Sequence, residues 1–156
     1  MRAVNVMSGL INACIAGAII VACAQSGKED TDQIKCLADN IYFEAGIESD
    51  AGKIAVGNVT MNRVKSKHFP STVCEVVWED KQFSWTHDGR SDNPSDKVLY
   101  ADIYEIARSV YNGKVVDITE GSTFYHADYI SAPSWTKAMK KVGQIDQHIF
   151  YYYEGR

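Results

Sequence analysis

The sequence of 156 residues lacks the patterns that mark several common functional classes. It has no run of basic residues and no interleaving of arginine with aromatic residues, and its net charge is −4, so nucleic acid is not an expected partner. Its histidines, His68, His87, His126 and His148, stand far apart and without metal-site spacing. There is no G-x-S-x-G motif and no phosphate-binding loop. We therefore expect neither a metal nor a cofactor.

The sequence also lacks an apolar stretch long enough for an ordinary membrane span. Residues 1–24 contain a single charge, Arg2, and residues 10–24 are apolar apart from Asn12. This apolar core is shorter than the roughly 20 residues that a span requires. We interpret residues 1–24 as an export signal or a weak membrane anchor, with a buried first helix as the alternative. The segment could be cleaved after Ala24, lipidated at Cys23, or retained as a membrane tether.

Export implies a periplasmic or extracellular location. The rest of the chain is interpreted as one domain. We expect the protein to be monomeric. The polar stretch 25–33 is interpreted as a linker, and 34–156 as the domain. No internal repeat or low-complexity stretch divides it. Without the export segment the chain keeps about 125–130 residues, enough for a hydrophobic core.

Only two cysteines, Cys36 and Cys74, belong to this domain. In an exported protein such a pair is most simply a disulfide, worth roughly 3–4 kcal/mol for a loop of this length. The alternative is a nucleophilic Cys74 with His126 as its base. Cys74 stands in the apolar run V-C-E-V-V-W, which does not favour a reactive thiolate.

A helix with one carboxylate at the edge of its apolar face is the central feature of the sequence. Its apolar positions recur at helical spacing, and they are Ile34, Leu37, Ala38, Ile41, Tyr42 and Ala45. Glu44 projects about 90° from the middle of this stripe, at the margin of the core. Burial disfavours the charged carboxylate, so Glu44 is a candidate general acid, the alternative being an ordinary solvated glutamate.

This helix should end near Ala45, because Gly46 is a plausible stop. Glu48 would then line the following turn. If the helix continued instead, Glu48 would point into the apolar stripe and would need a partner such as Arg63.

Local patterns predict the remaining elements of an α+β fold that is mostly helical. In chain order they are a helix over 51–64 capped by Ser49 or Asp50, a helix over 73–78 opened by Thr72 and Glu75, a strand over 82–86, a helix over 96–112 ended by Gly113, a strand over 122–127, a helix over 133–142, and an extended segment over 145–153. The polar loop 87–96 is either a substrate-facing flap or an ordinary surface loop. His126 and His148 stand in aromatic strands, where structural histidines are expected.

The order of several sequence blocks resembles the spore-cortex-lytic, SleB-like cell-wall hydrolase family. The blocks are CLADNIYFEAGIESDAGKIAVGNVTMNRV, FPSTVCEVVWEDKQFSWTHDG, STFYHADYISAPSW and IDQHIFY, and they cover about residues 34–152. The resemblance implies a compact lysozyme-like or resuscitation-factor-like catalytic domain. It also implies peptidoglycan glycan strands as the substrate.

The resemblance assigns roles to particular residues. Glu44 matches the catalytic glutamate of the family's Y-x-E-A motif, in which Tyr42 is the first residue. Other residues are expected to bind substrate or shape the groove, and these are Tyr42, Glu48, Gln82, Ser84, Trp85, Tyr125 and His126.

Three positions depart from the family pattern. Lys81 replaces a frequent cysteine, which favours the Cys36–Cys74 pairing. Phe124 replaces the first histidine of H-Y-H-A, which weakens any role for a histidine pair. Asp146 stands where the family usually has glycine, so the family pattern does not predict the type of turn at this position.

The expected reaction is cleavage of the β-1,4 bond between N-acetylmuramic acid and N-acetylglucosamine, with Glu44 as the acid. A hydrolase needs a second carboxylate, and the candidates are Glu48, Asp88, Asp92 and Asp128. None stands out, which favours a lytic transglycosylase in which Glu44 acts first as acid and then as base, with Tyr42, Tyr125 and Ser84 steadying the intermediate. Muramidase-type hydrolysis, a non-catalytic wall-binding module and a Cys–His amidase remain alternatives, in either a phage endolysin or a bacterial remodelling enzyme.

Overall fold

A computed structural model of the chain describes residues 31–154. In this part of the chain, four α-helices precede a three-stranded antiparallel sheet of order β1-β3-β2. The elements are α1 (31–45), α2 (Asp50–Lys65), α3 (Val73–Trp78), α4 (Lys97–Tyr111), β1 (Phe124–Ala127), β2 (Lys140–Ile145) and β3 (His148–Tyr152), with 3-10 turns at Ser84–His87 and Ser134–Ala138. The predicted α+β fold with a small sheet is confirmed.

The export or anchor segment predicted for residues 1–24 lies outside the described residues, as does most of the predicted linker 25–33. Residues 31–33 of that linker are helical. Within residues 31–154, no helix is both long enough and apolar enough to cross a membrane.

Side-chain caps fix where three of the described helices begin, and the caps of α2 and α3 were predicted from the sequence. Ser49 caps α2 by accepting a hydrogen bond from the backbone of Gly52, and Thr72 caps α3 by accepting one from the backbone of Glu75. Asp96 accepts bonds from two backbone N–H groups at the start of α4. Gly113, which follows α4, has φ of +66°, a conformation that suits glycine after a helix.

The predicted strand over 82–86 is wrong. Phe83 is extended, but residues 84–87 form a 3-10 turn in which the Thr86 backbone N–H and hydroxyl both bond to the Phe83 carbonyl. The alternation of the sequence reflects burial of Phe83 and Trp85 in the core, not pairing with another strand.

The predicted helix over 133–142 is also wrong beyond its first turn. Residues 134–138 form a 3-10 turn, after which residues 140–145 form β2 and pair with β3. Asp146, with φ of +48°, makes the turn of this hairpin and interrupts the predicted extended segment over 145–153. Strand pairing supplies backbone hydrogen bonds that outweigh the weak local helix preference.

The core lies around α1, whose predicted apolar stripe is buried except for Tyr42, which is half-buried. Leu37, Ala38, Ile41 and Ala45 are fully buried, and Ile34 nearly so. The helix ends at residue 45, so Glu48 lies in the following turn, as expected.

Two cross-connections hold α1 in place. A disulfide joins Cys36 on α1 to Cys74 on α3. On the opposite side α2 approaches closely at Gly57, where a Cβ would lie 3.1 Å from a methyl group of Ile41. These contacts fix the last turn of α1, which carries Glu44.

Candidate active site

Glu44 lies in the last turn of α1, where two cavities adjoin. The larger cavity has a volume of about 1110 Å³ and the smaller about 290 Å³. Both are lined by Phe43, Glu44, Tyr129 and His148. The Glu44 side chain is half-buried. A chain-like ligand crossing from one cavity to the other would therefore pass this carboxyl group.

The Glu44 carboxyl group accepts a hydrogen bond from Tyr125 on β1. The distance from the Tyr125 hydroxyl to Glu44 Oε2 is 2.7 Å. Burial raises the pKa of Glu44, although the Tyr125 hydrogen bond and the charge of Arg63 both act in the opposite direction. The pKa of Tyr125 is raised well above its usual value, first by burial and then by the Glu44 charge, so Tyr125 remains a donor.

Arg63 on α2 is buried, with 5% of its surface exposed, and lines the larger cavity. Its Nε donates a 2.8 Å hydrogen bond to the carbonyl of Thr123, just before β1. Its guanidinium carbon lies 5.3 Å from the ring centroid of Phe69, 4.9 Å from that of Phe83 and 5.8 Å from that of Phe124. These contacts attach β1, and with it Tyr125, to α2. Among the described residues, its Nη1 has no hydrogen-bond partner.

Trp85 forms part of the wall beside Glu44 and is itself 6% exposed. Its ring stacks on Phe43 with centroids 4.6 Å apart, and its indole N–H donates to Asn40 on α1. Asn40 in turn donates to Thr60 on α2. Trp85 therefore contributes mainly by supporting Phe43, the residue that precedes Glu44.

His126 and His148 are both buried but differ in their hydrogen bonds. The ring nitrogens of His126 lie 2.8 Å from the Ala127 carbonyl and 3.0 Å from the Tyr151 hydroxyl. The ring of His148 lies edge-on to Tyr125, at 4.9 Å between centroids, and its Nδ1 has no partner among the described residues. Burial lowers the pKa of His148, which favours the neutral ring at neutral pH.

The other residues singled out in the sequence divide between the two cavities. Gln82, Ser84 and His126 line the larger one, whereas Tyr42 and Glu48 line the smaller one. Their roles in binding stay predictions.

The loop 87–96 forms one wall of the larger cavity through several of its residues, and these are His87, Asp88, Arg90, Ser91 and Asp92. Tyr42 holds the end of this loop against α1, because its hydroxyl accepts a hydrogen bond from the backbone of Asp96 and lies 3.4 Å from the Ser95 hydroxyl. The wall is thus attached to the helix that carries Glu44.

The four candidates for a second carboxylate lie in different surroundings. Asp88 and Asp92 are exposed on the wall of the larger cavity, and Glu48 lies in the smaller one, where it accepts a 3.4 Å bond from the backbone of Gln147. Asp128 lines neither of these cavities and accepts a bond from Gln144. None of the four accepts a hydrogen bond from Tyr125, as Glu44 does.

The disulfide removes the nucleophile on which the Cys–His alternative depends. The Cys74 sulfur is bonded to Cys36 and is not available as a thiolate. In residues 31–154 no group of His, Cys, Asp and Glu side chains is arranged to hold a metal ion.

Sequence reasoning missed several residues of this site. Phe43, Tyr129, Trp135 and His148 line the cavities, and Arg63 was considered only as a partner for Glu48. Phe43 could have been predicted as a site residue because it is next to Glu44 in the sequence. The others come from elements distant in sequence, and only the folded chain brings them to Glu44.

Comparison with known proteins assigns the chain to a family. The family model described as Cell Wall Hydrolase matches residues 47–151, a range that begins three residues after Glu44. The chain is 29% identical over 125 residues to the spore cortex-lytic enzyme of Halalkalibacterium halodurans, covering 80% of this chain and 36% of that protein. It is 31% identical over 120 residues to the enzyme of the same name from Oceanobacillus iheyensis, covering 76% and 41%. The chain thus spans about two fifths of the length of these curated relatives.

Two solved structures share the fold. The catalytic domain of the Bacillus cereus SleB protein superposes with a TM-score of 0.65 at 27% identity, covering 77% of this chain and 89% of that domain. The catalytic domain of the germination-specific lytic transglycosylase SleB from Bacillus anthracis gives a TM-score of 0.64 at 26% identity, covering 77% and 93%. With the family match extending over most of the described residues, the chain belongs to the Cell Wall Hydrolase family.

Proposed function

We propose that this chain is an exported lytic transglycosylase that cleaves the β-1,4 bond between N-acetylmuramic acid and N-acetylglucosamine in peptidoglycan. The observation that carries the proposal is the position of Glu44, half-buried between two cavities and hydrogen-bonded by Tyr125. The likeness to the catalytic domain of a lytic transglycosylase supports it.

The two cavities suit a substrate that is cut within a chain. A glycan strand has sugar units on both sides of the bond to be cleaved, and a site for it needs binding surface on both sides of the acid. Aromatic rings of Phe43, Tyr129 and Trp135 provide apolar faces on which sugar rings can stack.

In the first step Glu44, in its protonated form, donates a proton to the glycosidic oxygen. The bond from this oxygen to C1 of muramic acid breaks, and positive charge develops at C1. The raised pKa of Glu44 keeps a larger fraction of the side chain protonated than in a solvated glutamate. The leaving N-acetylglucosamine keeps the proton as its 4-hydroxyl group.

In the second step the 6-hydroxyl of the same muramic acid attacks C1. Its proton passes to the Glu44 carboxylate, which restores the acid, and the product is a 1,6-anhydromuramic end. The cycle consumes no water and needs one carboxyl group. This agrees with a site in which Asp88, Asp92 and Glu48, which line the same cavities, lack the hydrogen bond from Tyr125 that Glu44 accepts. Tyr125, which donates to the carboxylate, stabilises the charged form between the two steps.

Mass spectrometry of digested peptidoglycan tests the proposal. Wild-type protein should release muropeptides with 1,6-anhydro ends, and Glu44→Gln should release none while retaining the fold. Reducing ends would show muramidase-type hydrolysis instead, and free stem peptides would show an amidase. Wild-type protein that binds sacculi without releasing any fragment would indicate a wall-binding module. Undiminished lysis by Glu44→Gln would exclude Glu44 as the acid.

A further inference from the structure

A third cavity, of about 690 Å³, is lined by Phe124 at the start of β1 and by Tyr152 at the end of β3. We call it the lysine cavity. Its lining combines aromatic and cationic side chains. Its principal residues are Lys65, Lys67, Phe69, Phe124, Tyr152 and Tyr153. The volume falls within the range of ordinary ligand sites.

The charge of the lysine cavity is opposite to that of the whole chain. The net charge of the protein is −4, yet among the described residues no Asp or Glu lines this cavity. Lys65 and Lys67 are exposed, and neither forms an ion pair with another described residue. Lys140 pairs with Tyr152 across β2 and β3, and directly paired residues lie on the same face of a sheet. A third exposed cation, Lys140, therefore lies next to Tyr152, although it does not itself line the cavity.

The lysine cavity is close to the cavity that contains Glu44. Gln82 lines both, and among the described residues its side-chain amide makes no hydrogen bond. On β1, Phe124 faces the lysine cavity and the next residue, Tyr125, lines the cavity at Glu44. If a sugar is bound at Glu44, a substituent that extends from it toward Lys65 and Lys67 would thus pass Gln82.

We propose that the lysine cavity binds the stem peptide carried by the muramic acid that is cleaved. This inference rests on the proposed function. The stem peptide begins at the 3-lactyl group of muramic acid and bears free carboxylates, which match the unpaired lysines. Its amide groups match the free side-chain amide of Gln82, which can both donate and accept. The apolar rings cover its backbone and methyl groups.

The test compares two substrates, intact glycan strands with stem peptides and strands from which an amidase has removed the peptides. Wild-type protein should have a higher kcat/KM on peptide-bearing strands. Lys65→Gln/Lys67→Gln should lower kcat/KM on these about tenfold and leave it unchanged on stripped strands, since two exposed ion pairs are lost. Arg108→Gln/Lys114→Gln is the matched control, because it removes the same charge from exposed positions outside the three cavities.

A second measurement is independent of cleavage. A soluble muramyl tetrapeptide, titrated into the Glu44→Gln protein, should shift NMR signals around Lys65, Lys67 and Gln82, and the lysine substitutions should abolish these shifts. Equal kcat/KM of the lysine variant and wild type on peptide-bearing strands would overturn the inference. So would an equal loss on both substrates, or the absence of peptide-induced shifts. If wild type cleaves neither substrate, the proposed function fails, and the titration alone decides on the peptide site.

Discussion

Tyr125 and Glu44 stand 81 positions apart in the chain and lie 2.7 Å apart through the tyrosine hydroxyl and Glu44 Oε2. The contact joins the last turn of α1 to the middle of β1. It places a neutral donor against a carboxyl group whose burial favours the protonated form. The balance between these two effects sets the pH range in which Glu44 can give up and take back a proton.

Replacing Tyr125 with Phe should alter the pH dependence of cleavage. The lost hydrogen bond stabilised the charged carboxylate, so the pKa of Glu44 should rise and the alkaline limb of the pH–kcat profile should move to higher pH. We also expect kcat to fall by roughly 10- to 100-fold, because the carboxylate formed after proton donation is less stabilised. Release of anhydro muropeptides, measured from pH 4 to 9, checks both effects. A lower rate with an unshifted alkaline limb would mean that Tyr125 acts on the substrate alone.

The stability of the Glu44→Gln variant, relative to that of wild type, should increase as the pH rises. The folded-state pKa of Glu44 is above its unfolded value, so its contribution to stability is complete below pH of about 4 and is lost as pH rises through the folded pKa. The glutamine variant has no such titration. The difference in Tm between variant and wild type should therefore be more positive at pH 7 than at pH 4. Glu120→Gln, a change at an exposed residue outside the helices and strands, serves as the control. An equal difference at both pH values would contradict a raised pKa.

Loss of the disulfide should lower stability without abolishing cleavage. Cys36→Ser/Cys74→Ser should reduce the free energy of unfolding by roughly 3–4 kcal/mol on the chain-entropy estimate, because the bond closes a loop of 38 residues. Urea denaturation measures the loss. At low temperature, where the variant stays folded, anhydro muropeptides should still be released. If the variant folds but releases no muropeptides, the result would support a chemical role for Cys74.

Asn40→Ala should destabilise the wall beside Glu44. The substitution leaves the indole N–H of Trp85 without an acceptor in the core and removes the donor to Thr60. A buried group left unpaired costs about 1–3 kcal/mol. Chemical denaturation should show this loss, and near-ultraviolet circular dichroism should show a changed Trp85 signal. Asn112→Ala, at the exposed end of α4, removes an exposed hydrogen bond and should cost much less. A similar cost for both substitutions would contradict a structural role for Asn40.

Helix positions and their caps could be predicted from the sequence because their signals are local. Thr72 and Glu75 mark the start of α3, and the stripe from Ile34 to Ala45 marks the buried face of α1. Each signal needs only residues within one or two turns. The helical period is also a local signal, and it was enough to predict that Glu44 lies at the margin of the apolar face.

The sequence located β1 and β3, within the predicted strand 122–127 and the predicted extended segment 145–153, but it identified neither β2 nor the pairing of the strands. Residues 82–86 alternate as a strand would, but their alternation serves the burial of Phe83 and Trp85. Residues 140–142 fall in the predicted helix, yet residues 140–145 form β2 because β3 lies beside them. Strand formation depends on a partner that is distant in sequence, and local composition does not specify it.

The sequence by itself determined that one helix carries a carboxyl group, Glu44, at the edge of its apolar face. Only the tertiary structure decided what surrounds that group, since Tyr125, Arg63 and His148 reach it from β1, α2 and β3. The physical reason is that the pKa of a carboxyl group depends on desolvation and on charges and donors within a few ångströms. Those neighbours are set by packing between distant parts of the chain, whereas the amphipathic face of α1 is set by the residues of that helix alone.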